Sequence, residues 1–131
     1  ECVRYESEMA KYVVDVQILG IGSDGHIAFN EPGAAFDSLT HTMELTEQTR
    51  KDNARFFGGD IEQVPTLAIT QGLGTIMRAK KIILIATGAN KADAVYGMIK
   101  GPKTTECPAS ILQDQPDVTV ILDEAAAAKI K

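Results

Sequence analysis

A chain of 131 residues is one domain in size, long enough to remove roughly 65–70% of its unfolded surface from water on folding. Its 44% hydrophobic and 24% charged residues exclude disordered, collagen-like and coiled-coil classes, and a net charge of −5 with no Trp disfavours a nucleic-acid partner. Cys2 and Cys107 form no Cys-x-x-Cys pair and read as free thiols of a cytoplasmic protein, and the longest apolar run, 82–86, is far short of the ~20 residues of a membrane span.

The first residues carry an amphipathic helical pattern, Val3, Met9 and Tyr12 among charges, with no initiator Met, basic n-region or apolar h-region. They read as the inside of a longer chain. Residues 13–19 follow as a strand, with Val14, Val16 and Ile18 on one side by period two, and a glycine-punctuated loop covers 20–33. An extended piece is expected at 41–45, then a helix over 47–57 with Thr46 as its N-cap and Glu47 in its first turn. Pro65 precedes a short apolar piece, 67–70, and Leu73, Ile76 and Met77 recur at helical spacing. The run 82–86 has the length and continuity of a central strand covered on both faces. Asn90 is expected to cap a helix reaching about Lys100, with Ala92, Val95, Met98 and Ile99 inward and Gly101-Pro102 as its stop. Pro108 starts a short helix, 109–113, and 118–122 is the last strand. Asp123 should cap an alanine-rich tail helix. Strands alternating with helices across short loops predict one α/β domain with a mostly parallel, Rossmann-like sheet and flanking helices.

The loop 20–33, Gly-Ile-Gly-Ser-Asp-Gly-His-Ile-Ala-Phe-Asn-Glu-Pro-Gly, carries more chemistry than a turn requires. Open α/β sheets hold ligands just beyond the carboxyl ends of their strands, and Asp24, His26 and Glu31 stand there together. Taken alone, Asp24 also reads as an Asx-turn residue and His26 as a turn cap. Gly20 and Gly22 suit either a structural turn or a close approach of ligand to backbone. Lys91 falls in the first turn of a helix, where the dipole disfavours a cation unless an anion is bound too, so the strand, Gly88, Asn90, Lys91, helix sequence suits a phosphate.

The run 19–33 resembles the sugar-binding loop of glucosamine-6-phosphate deaminases, also called isomerases, which reads Gly-x-Asn/Asp-Gly-His-Ile-x-Phe-Asn-Glu-Pro. Thr49-Arg50, Asn53-Ala54-Arg55-Phe56-Phe57, Val64-Pro65, Ala68-Ile69-Thr70-x-Gly72, Gly74-Thr75-Ile76, Gly88, Lys91-Ala92 and Pro108-Ala109-Ser110-x-Leu112-Gln113 follow in family order. The resemblance covers the whole chain but only the C-terminal half of such an enzyme. It implies conversion of glucosamine 6-phosphate and water into fructose 6-phosphate and ammonia. His26 would be the ring-opening acid/base, Asp24 and Glu31 would orient it, Arg55 and Lys91 would bind phosphate, and Gly20 and Gly22 would let the sugar approach. An imidazole, titrating near ~6.5, suits a proton shuttle at neutral pH.

The family's other base, an aspartate, and its Ser/Gly-rich phosphate loop lie in the half not matched here, so the 131-residue piece is expected to be weak or inactive. No cofactor or metal is expected, since one His, two carboxylates and no thiolate cluster make a closed zinc site improbable. Ala34 to Met43 contains no Lys or Arg where allosteric members carry effector-binding cations, which points to the non-allosteric branch. The nearest alternative, a 6-phosphogluconolactonase, usually continues its Asp-Gly-His loop as Thr-Ala-Ser-Leu-Phe-Pro and lacks the Asn30-Glu31-Pro32 ending. A non-catalytic sugar-phosphate-binding module is a further alternative. The sheet of this piece is expected to leave an edge and an apolar face uncovered, to be met by self-association or by the absent half.

Overall fold

The computed structural model describes residues 1–131. Helix α1 (Cys2–Met9) leads to strand β1 (Val16–Leu19), the long loop, β2 (His41–Glu44) and α2 (Glu47–Asn53). Then come β3 (Leu67–Thr70), α3 (Leu73–Met77), β4 (Lys81–Ala86), α4 (Ala92–Ile99) and β5 (Val118–Leu122), with 3-10 turns between several of them. The main sheet is parallel in the order β1-β4-β5, and β2 and β3 form a separate antiparallel ribbon. The expected α/β class with a mostly parallel sheet is therefore the observed one.

Register explains which face is filled. Leu19 of β1 stands beside Leu84 of β4, which stands beside Val120 of β5. On that face Ile82, Leu84 and Ala86 are buried against Leu73, Ile76, Val95 and Met98 from the helices. Ile27, from the loop, joins the same cluster and is fully buried, so the loop is anchored to the core at its middle.

Several expectations are corrected. Residues 82–86 do form the central strand, but only one face is covered: Ile85 is exposed, as are Val16, Ile18 and Ile121 on the same side. The first strand begins at Val16 rather than residue 13. The helix expected over 47–57 gives way to a 3-10 turn at Ala54–Phe57, because Gly58 (φ 68°) and Gly59 (φ 80°) wind the chain left-handed and draw it tight. Thr46 is the N-cap as expected, its hydroxyl accepting from the Thr49 N–H at 3.1 Å.

Asn90 is not a cap: it lies inside a 3-10 turn, Ala89–Lys91, that starts from Gly88, and α4 begins one residue after Lys91. Gly88 turns the chain early by adopting φ 95° and donates its N–H to the Asp123 carboxylate at 3.0–3.1 Å. Ile99 is exposed, whereas Ala94, not among the residues expected inward, is buried. Asp123 accepts from the Ala126 N–H at 2.8 Å, yet the alanine tail forms successive turns rather than a helix. Only Ala126 is fully buried there, so the few residues left have too little packed face to support a regular helix.

Helix α1 buries no residue. It is tied down by polarity instead: Glu6 accepts from the Thr40 hydroxyl (2.6 Å), the Thr40 N–H (3.1 Å) and the Thr75 hydroxyl (2.9 Å), and pairs with Arg78. Its partial burial would push the carboxyl up, but these donors outweigh that and hold it at about 2.

Candidate active site

Chain geometry beyond β1 brings three polar side chains around one nitrogen. His26 Nδ1 lies 2.7 Å from Asp24 Oδ1 and 3.0 Å from Glu31 Oε1. Asp24 Oδ1 also accepts the His26 backbone N–H at 3.1 Å, so Asp24 is at once the Asx residue of the turn and the partner of the ring. Burial acts to raise the Asp24 carboxyl, but the two His26 donors prevail and hold it below its ordinary value. Glu31 is 3% exposed and accepts from the Thr46 N–H (2.9 Å) and the Thr49 hydroxyl (2.8 and 2.9 Å) as well as facing the ring. With carboxylates on one ring nitrogen, the proton belongs on Nδ1 and Nε2 is left with its lone pair.

The loop can hold this arrangement because its backbone is fixed on both sides. Asn30 is fully buried, its amide donating to the carbonyls of Ile27 (3.1 Å) and Gln71 (2.8 Å). The Phe29 N–H donates to the Thr70 hydroxyl at 3.1 Å, and Ala28 adopts φ 51°, a left-handed conformation uncommon for a residue with a Cβ. Gly22 has a steric reason to be glycine: a Cβ there would lie 2.1 Å from Cε1 of the His26 ring. Gly20 has none within this chain, since a Cβ there would meet nothing within 4 Å.

A cavity of about 260 Å³ opens on the ring, lined among others by Gly20, Gly22, His26, Asp52, Arg55 and Lys91. It adjoins a second of about 440 Å³ that shares Gly20, Asp52, Arg55 and Lys91 and extends to Thr87 and Asn90 beyond β4. The seven residues singled out in the sequence are thus gathered at one place: five line the cavity, and Asp24 and Glu31 stand at the Nδ1 side of the ring. Lys91 donates to the Ile21 carbonyl at 2.8 Å, which leaves two of its ammonium protons available, and neither Lys91 nor Arg55 has a carboxylate within ion-pair distance. Arg55 instead lies over the Phe56 ring at 4.7 Å. Another cavity, about 340 Å³ between α1 and α3, is lined mainly by apolar groups such as Met9, Val13 and Val14 and contains none of these residues.

Asp24, His26 and Glu31 also constitute the kind of donor set that can hold a metal, with ligand atoms within 4.8 Å of one another. Ligands ~2.1 Å from a tetrahedral ion stand about 3.4 Å apart. The 2.7 and 3.0 Å separations seen here are shorter, and the first is that of a hydrogen bond. Sequence reasoning did not single out Thr49 or Asp52. Thr49 was visible only as one residue of a matching stretch, and nothing in a linear reading links position 49 to position 31. Asp52 could have been noticed three residues before Arg55, on the same helical side.

The model of the family described as glucosamine-6-phosphate isomerases/6-phosphogluconolactonase matches residues 1–121. A glucosamine-6-phosphate deaminase of Streptococcus thermophilus is 59% identical over 126 residues, covering 96% of this chain and 54% of the relative. One from Listeria monocytogenes is 57% identical over 128 residues, covering 98% and 54%. The chain thus spans about half the length of the curated relatives it matches. Among solved structures, a monomeric glucosamine-6-phosphate deaminase superposes with a TM-score of 0.94 at 46% identity, over 98% of this chain and 53% of that one. A 6-phosphogluconolactonase from Trypanosoma brucei shares the fold at TM-score 0.77 and 22% identity, over 99% of this chain and 52% of its own. No helix of the structure is long and apolar enough to cross a membrane. By sequence along nearly all its length, the chain belongs to the glucosamine-6-phosphate isomerase/6-phosphogluconolactonase family.

Proposed function

We propose that this chain is the C-terminal half of a cytoplasmic glucosamine-6-phosphate deaminase, supplying its ring-opening machinery and part of its phosphate site. The observation that carries the reading is the His26 ring, held on Nδ1 by Asp24 and Glu31 and lining a cavity with two cations that have no ion pair. Nε2 takes the proton of the anomeric hydroxyl as the C1–O5 bond breaks and gives it to the ring oxygen, so the imidazole ends as it began. Asp24 and Glu31 hold the tautomer and stabilise the imidazolium that forms between the two transfers. Arg55 and Lys91 bind the phosphate, and Gly20 leaves room for the sugar beside the backbone.

The steps after ring opening, proton transfer between C2 and C1 and release of ammonia, need a base that these residues do not supply. The isolated 131-residue chain is therefore weak or inactive. No metal takes part. The open face and edge of the main sheet pair with the rest of the protein or, in the isolated chain, with a second copy. Glu31 favours amino-sugar over lactone chemistry, because a second carboxylate on the ring serves proton shuttling at a sugar hemiacetal. The test is direct: the whole protein should release ammonia from glucosamine 6-phosphate and leave 6-phosphogluconolactone intact, and equal or greater lactonase activity would overturn the reading.

A further inference from the structure

Glu31 is nearly inaccessible, and its surroundings contain one group with no role in the chemistry so far. Thr49 is fully buried on α2, and its hydroxyl lies 2.8 and 2.9 Å from the two Glu31 oxygens. An ionised carboxylate only accepts, and Glu31 already takes the Thr46 N–H at 2.9 Å, so the Thr49 hydroxyl must donate to it. The direction of the next bond then follows. Thr46 Oγ1 accepts the Thr49 N–H at 3.1 Å, and its own proton is given to Thr49 Oγ1 at 3.0 Å. The N-cap of α2 thus starts a one-way chain of donors running Thr46, Thr49, Glu31, and Glu31 Oε1 in turn stands 3.0 Å from His26 Nδ1, whose proton is given to Asp24 at 2.7 Å. The ring nitrogen is itself 3.4 Å from Thr49 Oγ1, too far for a strong competing bond.

We infer that Thr49 is a positioning residue of the ring-opening step: its hydroxyl, committed as a donor by the Thr46 cap, fixes the Glu31 carboxylate and through it the orientation and Nδ1–H tautomer of His26. Without that donor Glu31 keeps the Thr46 N–H but can rotate about its remaining contacts. The ring then loses one of two anchors and Nε2 its aim into the cavity. A packing role alone would tolerate valine, which matches threonine in shape, and would tolerate serine less well, because serine lacks the methyl group. A positioning role reverses that order.

The inference rests on the proposed function only for its kinetic readout, so the experiment pairs kinetics with a readout that needs no turnover. Thr49→Val and Thr49→Ser are made in the whole protein, with the His26 imidazole N–H resonance identified by its disappearance in His26→Gln. Thr49→Val is expected to broaden or displace that resonance and to lower kcat about tenfold with KM within about twofold, an interaction made in the transition state rather than in binding. Thr49→Ser should restore both. An unchanged resonance in Thr49→Val, a loss appearing in KM instead of kcat, or serine failing where valine succeeds would overturn the inference. A displaced resonance restored by serine, in a protein that releases no ammonia, would uphold Thr49 and reject the deaminase reading.

Discussion

The two faces of the main sheet differ more than its sequence suggests. On one, Ile82 and Leu84 are fully buried under α3, α4 and the loop; on the other, Ile18 is 66% and Ile121 51% exposed although their types are the same. Alternation along a strand fixes that neighbouring residues point oppositely, and it says nothing about whether anything lies on each side. The candidate site belongs to the filled face: Ile27 anchors the loop in the core, and His26 stands one residue from that anchor. The candidate site is built on the packed side, while the open side leaves apolar surface uncovered.

The largest expected effect tests the faces against each other. Ile82→Ala should lower stability by about 2–5 kcal/mol in denaturant melts, whereas Ile18→Ala should stay within about 0.5 kcal/mol in the isolated chain. Equal losses would show that the open face is covered in the monomer. Sedimentation of the isolated chain at several concentrations should reveal association, weakened by Ile18→Glu. A cooperative monomer at all concentrations would mean that this half is self-sufficient.

At the site, His26→Gln in the whole protein should reduce kcat by ~10²- to 10⁴-fold with little change in affinity for an unreactive substrate analogue. Lys91→Ala should weaken affinity more than turnover. The glycines sharpen the same point. Gly22→Ala must displace the His26 ring even without ligand, whereas Gly20→Ala should leave the ring in place and weaken only sugar binding.

A smaller effect concerns α1, which is attached by Glu6 rather than by apolar burial. A carboxyl lowered in the folded state contributes stability above its unfolded pKa and loses it as pH falls through the folded value. For Glu6 that window runs from about 4.5 down to about 2. Asp24, also lowered, loses its share in the same direction. Glu6→Gln should therefore destabilise the chain at neutral pH and flatten its acid unfolding, measured by melting between pH 2 and 7.

The site was legible because its residues are crowded into one loop: Asp24, His26 and Glu31 span eight positions, and short-range geometry alone makes Asp24 meet His26. Arg55 was legible only by resemblance, and Lys91 also by the unusual placing of a cation at an expected helix start. The elements themselves followed from local pattern where the cause is local: apolar runs for β4 and β5, a threonine cap for α2. Part of what a linear reading missed has local causes, the glycines at 58, 59 and 88, and the rest has nonlocal ones. The tail was read as a helix because alanine favours one, yet only Ala126 found a packed place. Ile99 was read as inward by periodicity, but Met98 is the last residue of α4 to reach the core.

Periodicity, capping and short spacing are properties of neighbouring residues, so the class of fold, the order of its elements and the chemistry-bearing loop could be read from the chain alone. That one face of the sheet stands open, that Thr49 donates to Glu31 across 18 positions, and that Arg55 and Lys91 share a cavity with His26 emerged only on folding. Those depend on which surfaces meet after folding, and contact between distant segments leaves no trace in local pattern.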